Sequence, residues 1–139
     1  VFIRNPSCIR PWQYVLDPLS GYLLLAEKLW LEEASFAEGW NFGPNDANSK
    51  PVSYVVKKLT DLWGQNAKWN TYSKSQAHEA KVLQLDCSKA KSILGWKSKL
   101  NLEKALEWTH EWYQAYQRKE DMSKFTRAQI SRYQNMRCT

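Results

Sequence analysis

Residues 9–30 read IRPWQYVLDPLSGYLLLAEKLW. Two prolines divide the stretch. Ile9–Val15 has the alternation of an extended segment. Asp17 then occupies the position of a helix N-cap, with Pro18 in the first turn, where its missing N–H is no loss. Leu19, Tyr22, Leu23, Ala26, Leu29 and Trp30 follow at helical spacing, so the helix is predicted to run to about Ala34. A cation at the head of the extended segment, Arg10, has two readings. It forms a salt bridge, or its planar fork reaches a phosphate.

Working outward, Val1–Arg4 reads as a short strand ended by Asn5-Pro6. The stretch 40–51, WNFGPNDANSKP, reads as a strand end followed by a turn-rich loop. Ser49 or Pro51 opens the helix PVSYVVKKLTDLWG (51–64), which Gly64 closes. AKWNTY (67–72) and KVLQLD (81–86) alternate as strands do. CSKAKSILGW (87–96) reads as a short helix with Gly95 after its end. Asn101 caps LEKALEWTHEWYQAYQRK (102–119), and a basic helix is predicted over Ser123–Met136. The expected class is therefore α/β, with helices outweighing strands, in one domain over residues 1–139. The strands are short and far apart, so partners for them are expected from outside this chain.

Composition narrows the function. The 139 residues are 43% hydrophobic and 14% aromatic, which excludes a disordered chain. The net charge of +6 is unevenly placed. Residues 17–49 carry one Lys against six acids, whereas 50–100 carry ten Lys against three acids. An anionic partner is favoured. Eight tryptophans with this charge would also suit single-stranded nucleic acid, but the lysines are dispersed and no nucleic-acid signature is present. The three cysteines are widely spaced and form no CxxC pair, so neither a zinc site nor a disulfide framework is expected. A reducing cytoplasm is the corresponding expectation, without a membrane anchor. The opening VFIRNP lacks an initiator Met and starts within a strand pattern, which reads as a fragment.

Four ordered blocks carry a resemblance. RPWQYVLD (10–17), WNFGP (40–44), LDCSKAKSILGW (85–96) and the helix opening NLEKAL (101–106) resemble segments of the extended short-chain dehydrogenase/reductase family, the nucleotide-sugar epimerases and dehydratases. The resemblance implies the helix-rich, C-terminal substrate-binding lobe of a Rossmann-like enzyme whose dinucleotide-binding core is largely missing here. It assigns Arg10 to the pyrophosphate of a nucleotide sugar, CDP-glucose or a relative of it. Asp17 then supports the turn that aims Arg10. Asn41 would face the same cleft. In SKSQAHEAK (73–81), where related enzymes carry an Arg ahead of an acid, this chain has Gln76 with Lys74 nearby. His78 is a candidate for the nucleotide or its ribose, and Glu79 for local support. NAD is the implied cofactor of the whole enzyme. It would take a hydride from C4 of the sugar and return it at C6 after water leaves. The NAD site, the catalytic Tyr-Lys pair and the usual homo-oligomer contacts belong to the N-terminal half. Within this chain no catalytic residue and no metal ligand is expected. Tyr54 and Lys58 do spell Y-x-x-x-K, but that gap arises by chance in a Lys-rich helix.

Overall fold

The computed structural model describes residues 1–64, 66–72 and 79–136. The chain is mostly helical, with two very small sheets. In order, the elements are β1 (Phe2–Ile3), β2 (Ile9–Pro11), α1 (Leu16–Glu32), β3 (Ser49–Pro51), α2 (Val52–Trp63), β4 (Asn70–Thr71), α3 (Ser88–Ile93), α4 (Leu102–Gln117) and α5 (Met122–Gln134). Short 3₁₀ turns follow α1 at Glu33–Phe36 and precede β3 at Asp46–Asn48.

The helix signals hold. Gly64 ends α2 at φ 62°, a conformation open to glycine without strain. The Asn101 side chain accepts from the Lys104 N–H at 2.9 Å and so caps α4. Asp121 caps α5 in the same way through the Lys124 N–H. The strands depart more from expectation. β1 pairs with β4 in parallel, and β2 pairs with β3 in antiparallel, so these strands find partners within the chain. β3 itself was not foreseen. KVLQLD contributes one bridge, Val82 to Ile9. No strand forms at residues 39–45, because Phe42 turns into the core. A larger α/β sheet is therefore not seen among the described residues.

Three clusters make up the interior. Tyr14, Leu100, Ala105, Trp108 and Tyr133 join the β2–α1 junction to α4 and α5. Phe42, Ala90, Leu94 and Trp96 lie beneath α1, with Leu24 and Leu25 packed onto them. Val55, Leu102 and Leu106 seal α2 against α4, with Trp12 at the margin. Gly21 is what lets α1 approach the second cluster. A Cβ there would overlap the Phe42 ring. That ring is held edge-on by Tyr22 at 5.4 Å and Trp96 at 5.1 Å, so it has little room to yield. Gly21→Ala is expected to destabilise the fold by about 2 kcal/mol through overpacking, despite alanine's better helix propensity. A urea titration of the two proteins measures this.

Candidate functional site

Arg10 is placed by a short ladder. β2 pairs with β3 on one side, Ile9 to Pro51, Arg10 to Lys50 and Pro11 to Ser49. On the other side, the Ile9 N–H donates to the Lys81 carbonyl at 2.8 Å and the Leu83 N–H donates to the Ile9 carbonyl at 3.2 Å. The extended backbone thus projects Arg10 from a strand paired at both edges. Its Nη1 donates to the carbonyls of Ile9 (2.8 Å) and Ala80 (3.0 Å), and its Nη2 pairs with the Glu79 carboxylate. Asn5 Nδ2 donates to the other oxygen of Glu79. Both readings of Arg10 therefore have to be weighed on this geometry. The salt bridge is present. The bonds of Arg10 to Ile9, Ala80 and Glu79 engage three of the five guanidinium N–H groups, the Cys8 side chain interacts with it as well, and 19% of the side chain remains exposed. An anion reaches Arg10 only through that exposed part.

Charge follows contact. The Glu79 hydrogen bond raises the Arg10 pKa further above its ordinary value. The Asn5 amide and then the Arg10 guanidinium hold the Glu79 carboxyl below the usual range. Glu79 is thus an ionised support that fixes the Arg10 fork in one plane.

Lys50 is the residue that sequence reading missed here. It stands directly opposite Arg10 in the antiparallel register, which sets two cations side by side on the ribbon. Its ammonium leans toward the Tyr54 ring, 6.0 Å from the centroid. The signal was hidden because β3 is only three residues long and contains a proline.

The other candidates separate. Asn41 is exposed and donates to the Asp86 carbonyl at 3.1 Å, tying loop 39–45 to the segment ahead of α3. No contact joins it to Arg10 among the described residues. Lys74, Gln76 and His78 lie outside the described residues. Asp17 is not the N-cap that the sequence suggested. α1 already begins at Leu16, and the Asp17 side chain turns inward, fully buried. Its Oδ1 accepts from the Lys99 N–H at 2.7 Å and from the Tyr133 hydroxyl at 2.8 Å. The start of α1 is thereby tied to the α3–α4 connection and to α5. Tyr54 donates its hydroxyl to Glu103 Oε1 at 2.7 Å, which pushes the phenol up and pulls the carboxyl down. A general-base tyrosine needs the opposite shift.

The five glycines do not build a dinucleotide cradle. Gly21 sits inside α1, and Gly64 and Gly95 follow helices with positive φ. Gly39 and Gly43 lie in a loop that leads to a 3₁₀ turn. None opens a helix directly after a strand, as phosphate cradling requires. Among the described residues no group of three metal-ligating side chains converges, and no helix is long and apolar enough to cross a membrane.

No family model matches the chain. Over 133 residues it is 47% identical to CDP-glucose 4,6-dehydratase of Salmonella typhimurium strain LT2, a match taking in 96% of this chain and 37% of that relative. The chain thus spans little more than a third of the length of the curated relative it matches. The resemblance read from the four sequence blocks is borne out by this identity. This chain is homologous to part of a CDP-glucose 4,6-dehydratase.

Proposed function

We propose that this chain forms the C-terminal, nucleotide-sugar-binding part of a CDP-glucose 4,6-dehydratase. In this reading it binds the substrate and does not turn it over alone. The observation that carries the reading is the 47% identity over nearly the whole chain. The placement of Arg10 supports it. A guanidinium held in one plane by Ile9, Ala80 and Glu79, with part of its side chain exposed, suits a diphosphate. Lys50 beside it adds positive potential. The pyrophosphate is held far from C4 of the sugar, and that remote binding positions the reacting carbon.

The described residues build no cradle for NAD. The cofactor, and the acid–base groups that go with hydride removal at C4 and loss of water across C5–C6, are assigned to the remaining length of the whole enzyme. The product of that enzyme would be a CDP-4-keto-6-deoxy sugar. The whole enzyme is expected to be a homo-oligomer.

Titration of the chain with CDP-glucose, CDP, UDP and dTDP, followed by tryptophan fluorescence, tests the reading. The CDP ligands are expected to bind best. Arg10→Ala is expected to weaken them by roughly 10- to 100-fold, the effect of losing a charge-assisted contact. Arg10→Lys should recover only part, because an ammonium keeps the charge and loses the fork. Equal binding of all nucleotides to wild type and Arg10→Ala would contradict the proposal.

A further inference from the structure

Lys50 is held opposite Arg10 by more than the short ladder. Pro51 follows it, and a residue before proline is kept extended. The Val52 N–H donates to the Cys8 carbonyl at 3.0 Å, and the Trp12 N–H to the Asn48 carbonyl at 3.4 Å, so the pairing continues past both ends of β3. Trp12 Nε1 also donates to the Lys50 carbonyl at 2.9 Å, while Trp12 packs at the margin of the Val55 cluster. A slip of register would break these bonds. Directly opposed residues place their Cβ atoms roughly 4.5–5.5 Å apart on one face of a ribbon. The Arg10 and Lys50 side chains therefore start side by side.

The two cations differ in freedom. Arg10 is bonded to Ile9, Ala80 and Glu79, which leaves its fork little play. Among the described residues Lys50 enters no salt bridge. Its ammonium lies 6.0 Å from the Tyr54 ring centroid, the outer reach of a cation–π contact. Glu103 feels the Lys50 charge, but it takes its hydrogen bond from the Tyr54 hydroxyl at 2.7 Å. A fixed fork beside a movable ammonium suits a ligand with two anionic centres. The fork orients one centre, and the flexible stem of the lysine carries its charge to the other. Arg10 by itself, with 19% of its side chain exposed, has room for one.

We propose that Lys50 is a specificity-determining residue: it holds the second phosphoryl group of the nucleotide and makes the site select diphosphates over monophosphates. The inference rests on the nucleotide-sugar reading above and deepens it. Entry of a diphosphate draws the ammonium off the Tyr54 ring, and each of the two cations then meets its own phosphoryl group. Lys58 provides the contrast. It also stands by the Tyr54 ring, 5.8 Å from the centroid, but it belongs to α2 and not to the ribbon.

The test compares CDP with CMP, and UDP with UMP, on wild type, Lys50→Gln, Lys50→Arg, Lys58→Gln and Arg10→Ala, by tryptophan fluorescence. Lys50→Gln is expected to weaken CDP by about tenfold, the effect of one charge-assisted contact. Lys50→Arg should restore most of that loss. Lys58→Gln should stay within about twofold of wild type, as a screened surface charge does. The diagnostic is CMP. Its single phosphoryl group needs one cation, so only one of Lys50→Gln and Arg10→Ala should weaken it, whereas both weaken CDP. CDP binding indifferent to Lys50→Gln would overturn the proposal. So would an equal loss of CMP and CDP in both variants, which would reduce Lys50 to a general positive potential. UDP held as tightly as CDP, with the same Lys50 effect on both diphosphates, contradicts the cytidine ligand of the reading above and leaves the role of Lys50 standing. A preference for CDP with no Lys50 effect does the reverse. Failure of every nucleotide to bind wild type would overturn both.

Discussion

Asp17→Ala is expected to destabilise the fold by about 4 kcal/mol. The carboxylate is fully buried, and two buried donors depend on it, the Lys99 N–H and the Tyr133 hydroxyl. Truncation leaves the buried Lys99 N–H without this acceptor and takes from the Tyr133 hydroxyl its Asp17 partner, and losing such a buried bond costs roughly 1–3 kcal/mol. The damage spreads because Asp17 joins three parts of the chain. Tyr133 also donates to Ser20 Oγ at 3.2 Å, and Ser20 Oγ accepts from Trp96 Nε1 at 3.1 Å. Asp17→Asn keeps an acceptor for both donors and should cost less than half as much. Wild type and Asp17→Asn also differ with pH. Burial pushes the Asp17 carboxyl above its ordinary 3.8, while the amides of Lys99 and Leu100, the Tyr133 hydroxyl and the Lys99 ammonium pull it part of the way back. The unfolded chain therefore releases this proton at lower pH than the folded chain does. The stability that this group contributes is greatest below 3.8 and falls as the pH rises through the raised folded value. Urea midpoints taken from about pH 4 to pH 7 should fall less for Asp17→Asn than for wild type.

Trp108→Ala is expected to cost as much or more, roughly 3–5 kcal/mol. Trp108 is 1% exposed and fills the centre of the cluster between the β2–α1 junction, α4 and α5. Its indole meets Tyr14 edge-on at 5.6 Å. The Arg132 guanidinium lies 4.2 Å from the indole ring centroid, which adds a cation–π attraction. The backbone is involved too. Gln129 donates to the Trp108 carbonyl at 3.0 Å and accepts from the Tyr14 hydroxyl at 2.9 Å. A cavity at position 108 would loosen both sides of that chain of bonds. Trp108→Phe keeps an edge-on ring and should retain more than half of the lost stability. Guanidinium denaturation of the three proteins measures both values.

The helices could be read from the sequence because their signals are local. Gly64, Asn101 and the apolar repeat of α4 act within a turn or two of where they stand. β1, β2 and β4 fall inside segments read as extended, but β3 and the pairing of the strands could not be read, because a strand of three residues has no period to detect. Their existence depends on pairing between Phe2 and Asn70, or Arg10 and Lys50, which are distant in sequence. Asp17 shows the same limit in a single residue. Its sequence neighbours Pro18 and Leu19 point to a cap, but its partners are 82 and 116 residues away. At the site, Arg10 was found through its place in a recognisable block. Lys50 was missed because nothing near it in the sequence shows that it faces Arg10.

The most direct measurement is turnover of CDP-glucose by the chimera that carries this chain in place of the matching part of the Salmonella enzyme. The account predicts formation of the CDP-4-keto-6-deoxy product, with Arg10→Ala raising KM far more than it lowers kcat. A folded, NAD-loaded chimera that neither binds nor converts CDP-glucose would contradict it.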